Sequence, residues 1–151
     1  MSAAAESGIR RGRLADMPAI ATLLESAGLP TQDLSSGTDL QTWVLEAHGE
    51  LIAAIGLEGF GDVGLLRSLV VAPAERRQGL GQKLVARLER DAQAAGITQL
   101  VLLTETAEEF FRKRGYVVTD RREVSDPVRQ SAEFRSLCPA SAICMSKALR
   151  A

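Results

Sequence analysis

The hydrophobic positions of the chain recur with two different periods, that of a helix and that of a strand. The clearest helical pattern runs from residue 80 to Gly96, with charged side chains on its other faces. A second one covers residues 17–27, between Asp16, a common helix-capping residue type, and Gly28. Both patterns predict amphipathic helices. The apolar face of the first comprises Leu80, Leu84, Val85, Leu88 and Ala92.

Shorter apolar runs predict strands between and beyond these helices. Residues 41–47 and 51–59 flank a turn at residues 48–50 and therefore predict a β-hairpin. A second turn, over residues 59–64, is expected to lead into a mostly buried strand at 65–73. Further strands are predicted at residues 8–12, 97–104, 116–118 and 141–147.

Local end signals place two short helices in the second half of the chain. Thr106-Ala107-Glu108-Glu109 has the spacing of a capping box and predicts a helix that ends at Gly115. Asp126 as N-cap, with Pro127 at the first helical position, predicts the start of another helix. Residues 30–40 are polar and rich in turn formers, with room for one short helix. The alternation of helices with several strands predicts an α/β fold with a mixed sheet.

Length and charge narrow the classes of function. The 151 residues predict a single domain over residues 1–151. Because 18 basic and 19 acidic residues give a net charge of -1, we expect neither a nucleic-acid partner nor a membrane partner. Cys138 and Cys144 lack the spacing of zinc ligands, and buried small apolar side chains are the expected interpretation. With no signal peptide pattern, these features predict a cytoplasmic protein without a bound metal.

The stretch Arg76-Arg77-Gln78-Gly79-Leu80-Gly81 joins a predicted strand to the start of the clearest helix. The first amides of a helix have no partner within the helix, and its dipole favours an anion there. Glycines would let an anion approach the backbone, and the arginines would add charge. The same stretch could be a turn with glycines for close packing and solvated arginines. These six residues alone leave both interpretations open.

Two longer stretches carry a more specific signal. SLVVAPAERRQGLGQKLVARLE resembles the acetyl-CoA motif of the GNAT acetyltransferases, and TETAEEFFRKRGY resembles their second motif. The segments GLPTQDL, GLLRSLVV, LLTETAEEFF and EFRSLCPASAICM are similar to the arsenic-resistance-associated group of that superfamily, which resembles the amino-acid N-acetyltransferases. The resemblance implies the GNAT fold, a mostly antiparallel mixed sheet with splayed central strands flanked by helices. It also implies acetyl-CoA as donor and leaves a homodimer open.

The resemblance implies roles for residues of both motifs. The amides from Arg77 to Gln82 would hold the pyrophosphate, and Val71 would pair with pantetheine like an added strand. The amide of Leu69 would be catalytic, as the oxyanion donor that polarises the thioester carbonyl. The donor site implied in this way comprises Leu69, Val70, Val71, Arg76, Arg77, Gln78, Gly79, Leu80, Gly81, Gln82, Thr104, Phe110 and Phe111.

Phe111 departs from the family pattern, because many GNAT enzymes have tyrosine here as the acid that protonates the leaving thiolate. Tyr116 and Cys144 are conceivable substitutes, although Tyr116 also fits a packed aromatic. Thr104 stands where many relatives have a pantetheine-contacting asparagine. A hydroxyl satisfied locally at the strand end is the alternative for this threonine.

Arg67 is a charged residue in an otherwise apolar strand. Strand alternation predicts that Leu65, Arg67 and Leu69 share a face, which would place Arg67 beside the oxyanion amide. An unpaired buried charge is costly, so Arg67 needs a partner. The partner is either a substrate carboxylate or other oxyanion, which is our prediction, or a structural carboxylate such as Glu58.

No strong general base stands out. The single histidine, His48, lies in a predicted hairpin turn, which leaves Glu58 and Glu105 as candidates. Deprotonating a lysine amine at pH 7 costs about 4.6 kcal/mol, but an α-amino group costs only about 1.4 kcal/mol. We therefore predict direct acetyl transfer to the amine of a small amino acid or amino-acid-like compound, arsenic-containing ones included. An acetyl-CoA-binding module with little turnover and a protein N-acetyltransferase are the alternatives.

Overall fold

The computed structural model describes residues 8–29, 40–131, 134 and 141–149. Within them, a seven-stranded sheet carries helices on both faces. The strands are β1 (Ile9–Arg11), β2 (Leu40–Ala47), β3 (Glu50–Phe60), β4 (Val63–Val71), β5 (Gln99–Thr104), β6 (Val117–Val118) and β7 (Ile143–Ala148). The helices are α1 (Met17–Ser26), α2 (Leu80–Ala94), α3 (Glu108–Arg112) and α4 (Asp126–Arg129). No helix in these ranges is long and apolar enough to cross a membrane.

The sheet is mixed and mostly antiparallel, as predicted. Its strand order is β1-β2-β3-β4-β5-β7-β6, and β4–β5 is the parallel pair among otherwise antiparallel neighbours. The parallel pairing covers residues 63–65 of β4 and 99–101 of β5. Beyond it, β4 continues along β3 and β5 continues along β7. The two central strands therefore separate, which confirms the predicted splay.

The core has two layers, one on each face of the sheet. On one face, the predicted apolar side of α2 packs against buried residues such as Trp43, Ile55 and Leu100. On the other face, Ile20 and Leu24 of α1 pack against residues of β2, β3 and β4. Each fully buried large aliphatic side chain contributes about 1.5–3 kcal/mol, so this packing holds both helices in place.

Of the two turns in the β2-β3-β4 meander, the first lies at the predicted residues and the second is shorter than predicted. His48 and Gly49 have φ values of 55° and 80°, as in a type I′ hairpin turn, and His48 is exposed as predicted. The second turn is shorter than predicted, because β3 extends to Phe60 and β4 begins at Val63. Gly64 lies inside the strand, where an added Cβ would stand 2.6 Å from Leu57 Cδ1.

Two predicted N-cap positions are wrong by one residue, and the third, Asp16, is confirmed in position. The N-cap of α3 is Ala107 and not Thr106, because the Ala107 amide donates to Thr104 Oγ1 at 3.0 Å. Ser125 precedes Asp126 at the start of α4. Asp16 stands at the N-cap of α1, but its carboxylate accepts from Arg10 and from the Arg13 amide. Of the range 30–40 that was predicted to hold a short helix, Leu40 belongs to β2 and the other residues, like Cys138, lie outside the described residues.

Candidate active site

The turn before α2 takes an unusual backbone path. Arg77 and Gly79 have φ values of 70° and 76°, so the chain reverses sharply before the helix begins at Leu80. The first bond of the helical ladder runs from the Lys83 amide to the Gly79 carbonyl at 3.1 Å. The amides of residues 80–82 therefore precede the ladder and point outward from the helix start. This is the geometry of an anion site built from main chain.

A cleft of about 520 Å³ opens in front of this turn. Its floor is the end of β4, and its walls are the start of α2 and the neighbourhood of α3. The predicted donor residues that line it are Leu69, Val70, Val71, Arg76, Arg77, Gly79, Leu80, Gly81, Gln82 and Phe110. Glu75, Thr106, Ala107 and Arg114 also line it. We call this the donor cleft; Gln78 is outside its described lining.

Glycines keep the donor cleft open. A Cβ on Gly79 would meet nothing within 4 Å, and one on Gly81 would lie 3.5 Å from Phe110 Cζ and 3.9 Å from Val71 Cγ2. A larger side chain at Gly81 would therefore grow into the space between α2 and Phe110. The Phe110 ring is fixed edge-to-face against Phe111, with the centroids 5.0 Å apart.

Arg76 is bound at the edge of β4. Its Nε donates to the Val71 carbonyl at 3.1 Å, at the strand edge where pantetheine pairing is predicted. The side chain is exposed, and Arg76 lines the donor cleft and a second cleft beside it. Arg76 therefore stands at the boundary between the two.

A β-bulge interrupts β4 at the predicted oxyanion residue. The register passes from Arg67 opposite Gly56 to Val70 opposite Ala54, so Ser68 and Leu69 face a single residue of β3. Ser68 has a φ of 61°, in the left-handed region. Such a bulge takes a residue out of the ladder and turns its backbone groups toward a ligand or solvent.

The bulge overturns the prediction that Arg67 shares a face with Leu69. The Leu69 side chain packs with the core under α2, whereas Leu65 belongs to the cluster on the opposite face of the sheet. Arg67 lies over Gly56 on that opposite face, with its Cγ 3.6 Å from the position of a Gly56 Cβ. One extra residue between positions 67 and 69 reverses the alternation, and regular strand spacing does not reveal it.

Arg67 and Glu58 form a buried ion pair. Arg67 Nη1 is 3.0 Å from Glu58 Oε1, and the two side chains are 2% and 5% exposed. Arg67 Nε also donates to Ser68 Oγ at 3.2 Å, which ties the pair to the bulge. The contact observed is therefore the structural pairing of Arg67 with Glu58, which was the alternative to a contact with substrate. Glu58 lines neither cleft in the described residues, which leaves Glu105 as the better placed candidate base.

The second cleft, of about 620 Å³, lies where β4 and β5 separate, and we call it the acceptor cleft. It adjoins the donor cleft, because Leu69, Arg76, Thr106 and Ala107 line both. The charged residues of its described lining are Arg67, Arg76 and Glu105. Thr104 and Phe111, predicted to contact the donor, also line this cleft. The arrangement places cationic groups and one carboxylate beside the predicted oxyanion amide.

The hydroxyl of Thr104 has a local partner, since it accepts a hydrogen bond from the Ala107 amide.

Tyr116 and Cys144, the candidate acids in place of a tyrosine at position 111, line neither cleft in the described residues. Tyr116 is buried and donates to Glu89 Oε2 at 2.8 Å, and burial together with that carboxylate raises its pKa far above the usual value. Burial raises the pKa of the Cys144 thiol to about 11. The structure therefore supports the packed-aromatic interpretation of Tyr116.

Comparison with known proteins agrees with this geometry. The model of the acetyltransferase (GNAT) domain family matches residues 38–118, which is more than half of the chain. The chain belongs to the GNAT acetyltransferase family. Family membership is consistent with the splay, the bulge and the helix start that the structure brings together.

Among curated GNAT relatives, an amino-acid acetyltransferase of Neisseria meningitidis is 28% identical over 136 residues, covering 85% of this chain and 31% of the relative. An amino-acid acetyltransferase of Pseudomonas syringae is 39% identical over 75 residues, covering 48% of this chain and 17% of the relative. The chain thus spans less than a third of these relatives.

Solved structures show the same fold. N-acetylglutamate synthase of Neisseria gonorrhoeae, complexed with coenzyme A and N-acetyl-glutamate, has a TM-score of 0.79 at 24% identity, covering 95% of this chain and 35% of that one. The Mycobacterium tuberculosis protein Rv2747, in complex with CoA and NLQ, has a TM-score of 0.77 at 25% identity, covering 94% and 99% of the two chains.

Arg114 is a cleft residue that sequence reasoning missed. It lines the donor cleft, and its guanidinium Cζ lies 4.2 Å from the centroid of the Phe110 ring. The spacing of four residues from Phe110 was the available signal, because such residues meet on one side of a helix. The signal was weak, since Arg114 stands beyond the last residue of α3.

Proposed function

We propose that this chain transfers the acetyl group of acetyl-CoA directly to the α-amine of a small amino acid or amino-acid-like compound. The observation that carries the proposal is the meeting of the two clefts at Leu69. On one side is a main-chain anion site, and on the other is a cleft with guanidinium groups and a carboxylate. A thioester in the first cleft would present its carbonyl to an amine in the second.

The donor cleft fits a CoA thioester on three observations. The start of α2 offers outward-pointing amides for a pyrophosphate, and Gly79 and Gly81 leave space for it. The separation of β4 from β5 leaves an edge of β4 for the pantetheine arm. Acetyl-CoA supplies the activated acetyl group. The bulge supports a role for the Leu69 amide as oxyanion donor, a role that typically contributes about 2.7–4 kcal/mol.

Glu105 is the proposed base. Its side chain is exposed at the junction of β5 and α3, and it lines the acceptor cleft. A carboxylate is a weak base, but the pKa of an α-amine is near 8, only about one unit above pH 7, so a weak base is enough. Glu105 can accept the amine proton directly or through one water molecule.

The leaving group needs no acid in this proposal. A thiol has a pKa near 8.5, so its thiolate lies only about 2 kcal/mol above the protonated form at pH 7. Phe111 therefore packs beside the acceptor cleft without taking part in proton transfer, and water can protonate the released thiolate. This removes the main chemical objection that phenylalanine raises against turnover.

Arg67 is the proposed contact for the acceptor carboxylate. Arg67 is among the residues that line the acceptor cleft, and Glu58 and Ser68 fix the orientation of its guanidinium. A fixed planar guanidinium suits a carboxylate, a phosphonate or an arsonate, which all present oxygens in a plane or fork. The resemblance to the arsenic-resistance-associated group adds arsono amino acids to the proposed acceptors, and that part of the proposal rests on sequence motifs alone.

The test is a spectrophotometric assay of thiol release from acetyl-CoA with a panel of amino acids, their phosphono and arsono analogues, and lysine-containing peptides. We expect steady turnover with at least one free α-amino acid and none with peptides blocked at the N-terminus. In Glu105→Gln, kcat/KM at pH 7 should fall about 100-fold, as is typical when a general base is lost. The deficit should shrink at higher pH, where the amine is already neutral.

A matched control is Glu109→Gln, an exposed carboxylate change on α3 outside both described clefts. It should leave kcat/KM unchanged. Binding of acetyl-CoA without turnover for any amine would replace the proposal with a binding module. Turnover with peptide lysines alone would indicate a protein acetyltransferase.

A further inference from the structure

Arg114 is held rigidly on the wall of the donor cleft. Its Nη2 donates to Gln82 Oε1 at 2.9 Å, and its Nη1 donates to the Phe110 carbonyl at 2.9 Å. The guanidinium also stacks over the Phe110 ring. These contacts join the first turn of α2 to the end of α3, so the cation is fixed beside the proposed pyrophosphate site.

The groups that hold Arg114 are a carbonyl, a side-chain amide and an aromatic ring, all of them uncharged. By contrast, Arg112 of α3 is paired with Glu108, and Arg87 of α2 is paired with Asp91. Arg114 Nε is buried and lacks a hydrogen-bond partner. Nη1 and Nη2 each carry two N–H groups and each makes one of the bonds described above, so the guanidinium keeps terminal donors and a full charge for a further acceptor.

The nucleotide half of CoA carries acceptors of that kind. It has a pyrophosphate and a 3′-phosphate, whereas the start of one helix is suited to one phosphate group or pyrophosphate. A planar guanidinium with a fixed orientation matches phosphate oxygens better than a mobile ammonium does. The stacking on Phe110 sets the plane of Arg114 before any ligand arrives, which lowers the entropy lost on binding.

We propose that Arg114 binds a phosphate of the nucleotide half of acetyl-CoA and makes this chain prefer the complete donor over truncated ones. This inference rests on the proposed function. Arg77 lines the same cleft and is exposed, and the exposed Arg76 is held at the Val71 carbonyl, while Arg114 is the guanidinium oriented against Phe110.

The experiment compares the wild type with Arg114→Gln in three donors: acetyl-CoA, acetyl-dephospho-CoA and acetyl-pantetheine. Calorimetry gives Kd for CoA and dephospho-CoA, and thiol release gives kcat/KM for each donor. Loss of a charge-assisted hydrogen bond predicts a Kd for CoA that is about tenfold to a hundredfold higher. The kcat/KM for acetyl-pantetheine, which has no nucleotide, should not change.

The donors also identify the phosphate. A loss for CoA but not for dephospho-CoA assigns the 3′-phosphate, and an equal loss for both assigns the pyrophosphate; either result supports the proposal. Equal losses in all three donors, or no loss in any, would overturn it and show a structural role. Arg112→Gln is the charge-matched control, because Arg112 is on α3 outside the donor cleft.

The conservative variant Arg114→Lys separates a role in phosphate binding from a role in packing. Arg114→Lys keeps the charge but loses the planar fork, so its Kd for CoA should lie between the wild type and Arg114→Gln. If Arg114→Lys binds CoA as weakly as Arg114→Gln while acetyl-pantetheine turnover falls as well, the side chain acts by packing. A wild type that fails to bind CoA would refute the proposed function itself. A wild type and an Arg114 variant that bind CoA equally well would refute only the role of Arg114.

Discussion

The donor and acceptor clefts meet at Leu69 but are built from different parts of the chain. Most of the described lining of the donor cleft comes from one segment, residues 69–82, and Ala27 with residues around α3 completes it. The described lining of the acceptor cleft is drawn from residues 27–29 after α1, from β4 and β5, from the region of α3 and from Ala142 near the other end of the chain. Recognition of a shared donor can therefore reside in a short motif, whereas recognition of the acceptor depends on how separate segments pack.

The two clefts also differ in how they carry charge. In the donor cleft, positive potential comes from a helix start and from exposed arginines. In the acceptor cleft, the guanidinium of Arg67 is buried and partly neutralised by Glu58. The donor site should therefore tolerate side-chain changes that keep the backbone open, while the acceptor site should respond to a single lost partner.

The largest expected effect comes from breaking the Arg67–Glu58 pair. Arg67→Met leaves Glu58 as a buried charge without its salt-bridge partner and should lower the free energy of unfolding by about 3–5 kcal/mol. Arg67→Met combined with Glu58→Leu removes both charges and should restore most of that loss. Urea denaturation of both variants measures the difference.

The double variant then separates the two roles of Arg67. If Arg67 binds the acceptor, the folded double variant should show an acceptor KM about tenfold higher or more, with the KM for acetyl-CoA unchanged. An unchanged acceptor KM would reduce Arg67 to a structural residue. The contrast between the clefts would then rest on Arg76 and Glu105.

A smaller effect is expected from filling the donor cleft. Gly81→Leu would place a branched side chain between α2 and Phe110, and such overpacking costs about 1–3 kcal/mol. We expect this to appear as a roughly tenfold to hundredfold rise in Kd for acetyl-CoA. Gly81→Ala should bind nearly as well as the wild type, because a Cβ there makes only ordinary contacts. Equal Kd values for all three proteins would contradict the donor-cleft assignment.

The smallest effect lies outside both clefts, at Asp16. Hydrogen bonds from Arg10 and from the Arg13 amide lower the pKa of Asp16 from 3.8 to about 2. A lowered folded-state pKa stabilises the fold above pH 3.8 and loses that contribution as the pH falls toward 2. Because Arg10 is partly exposed, Asp16→Asn should cost about 1 kcal/mol at pH 7, a difference that vanishes near pH 2.

Asp16→Asn also serves as a control for the variants in the two clefts, because Asp16 lines neither of them. Its KM values for donor and acceptor should equal those of the wild type. A stability difference that persists at pH 2 would mean that Asp16 acts through packing rather than through its charge.

Local signals predicted much of the fold. The faces of α2, the β2–β3 hairpin and the separation of β4 from β5 all follow from residue spacing or from the motif. Helix caps were less predictable, because Thr104 competes for the Ala107 amide from outside the capping box. Thr104 lies two residues before the four-residue pattern, so the pattern does not include it.

The site was predictable only where main chain builds it. The bulge at Ser68 carries no glycine to mark its left-handed backbone, so the alternation of β4 was extrapolated one residue too far. The pairing of Arg67 with Glu58 depends on the register of β3 against β4, which an isolated strand does not encode. Arg114 reaches the donor cleft only because α3 packs beside α2.

The single tryptophan of the chain gives the molecule its own optical reporter. Trp43 on β2 is fully buried, and its indole N–H donates to Asp91 Oδ2 of α2 at 2.8 Å. Asp91 is about 16 Å along the helix from Leu80, far from the donor cleft. Fluorescence from Trp43 therefore reports whether α2 is docked on the sheet and not whether the cleft is filled. A shift in its emission on adding acetyl-CoA would mean that the whole helix moves.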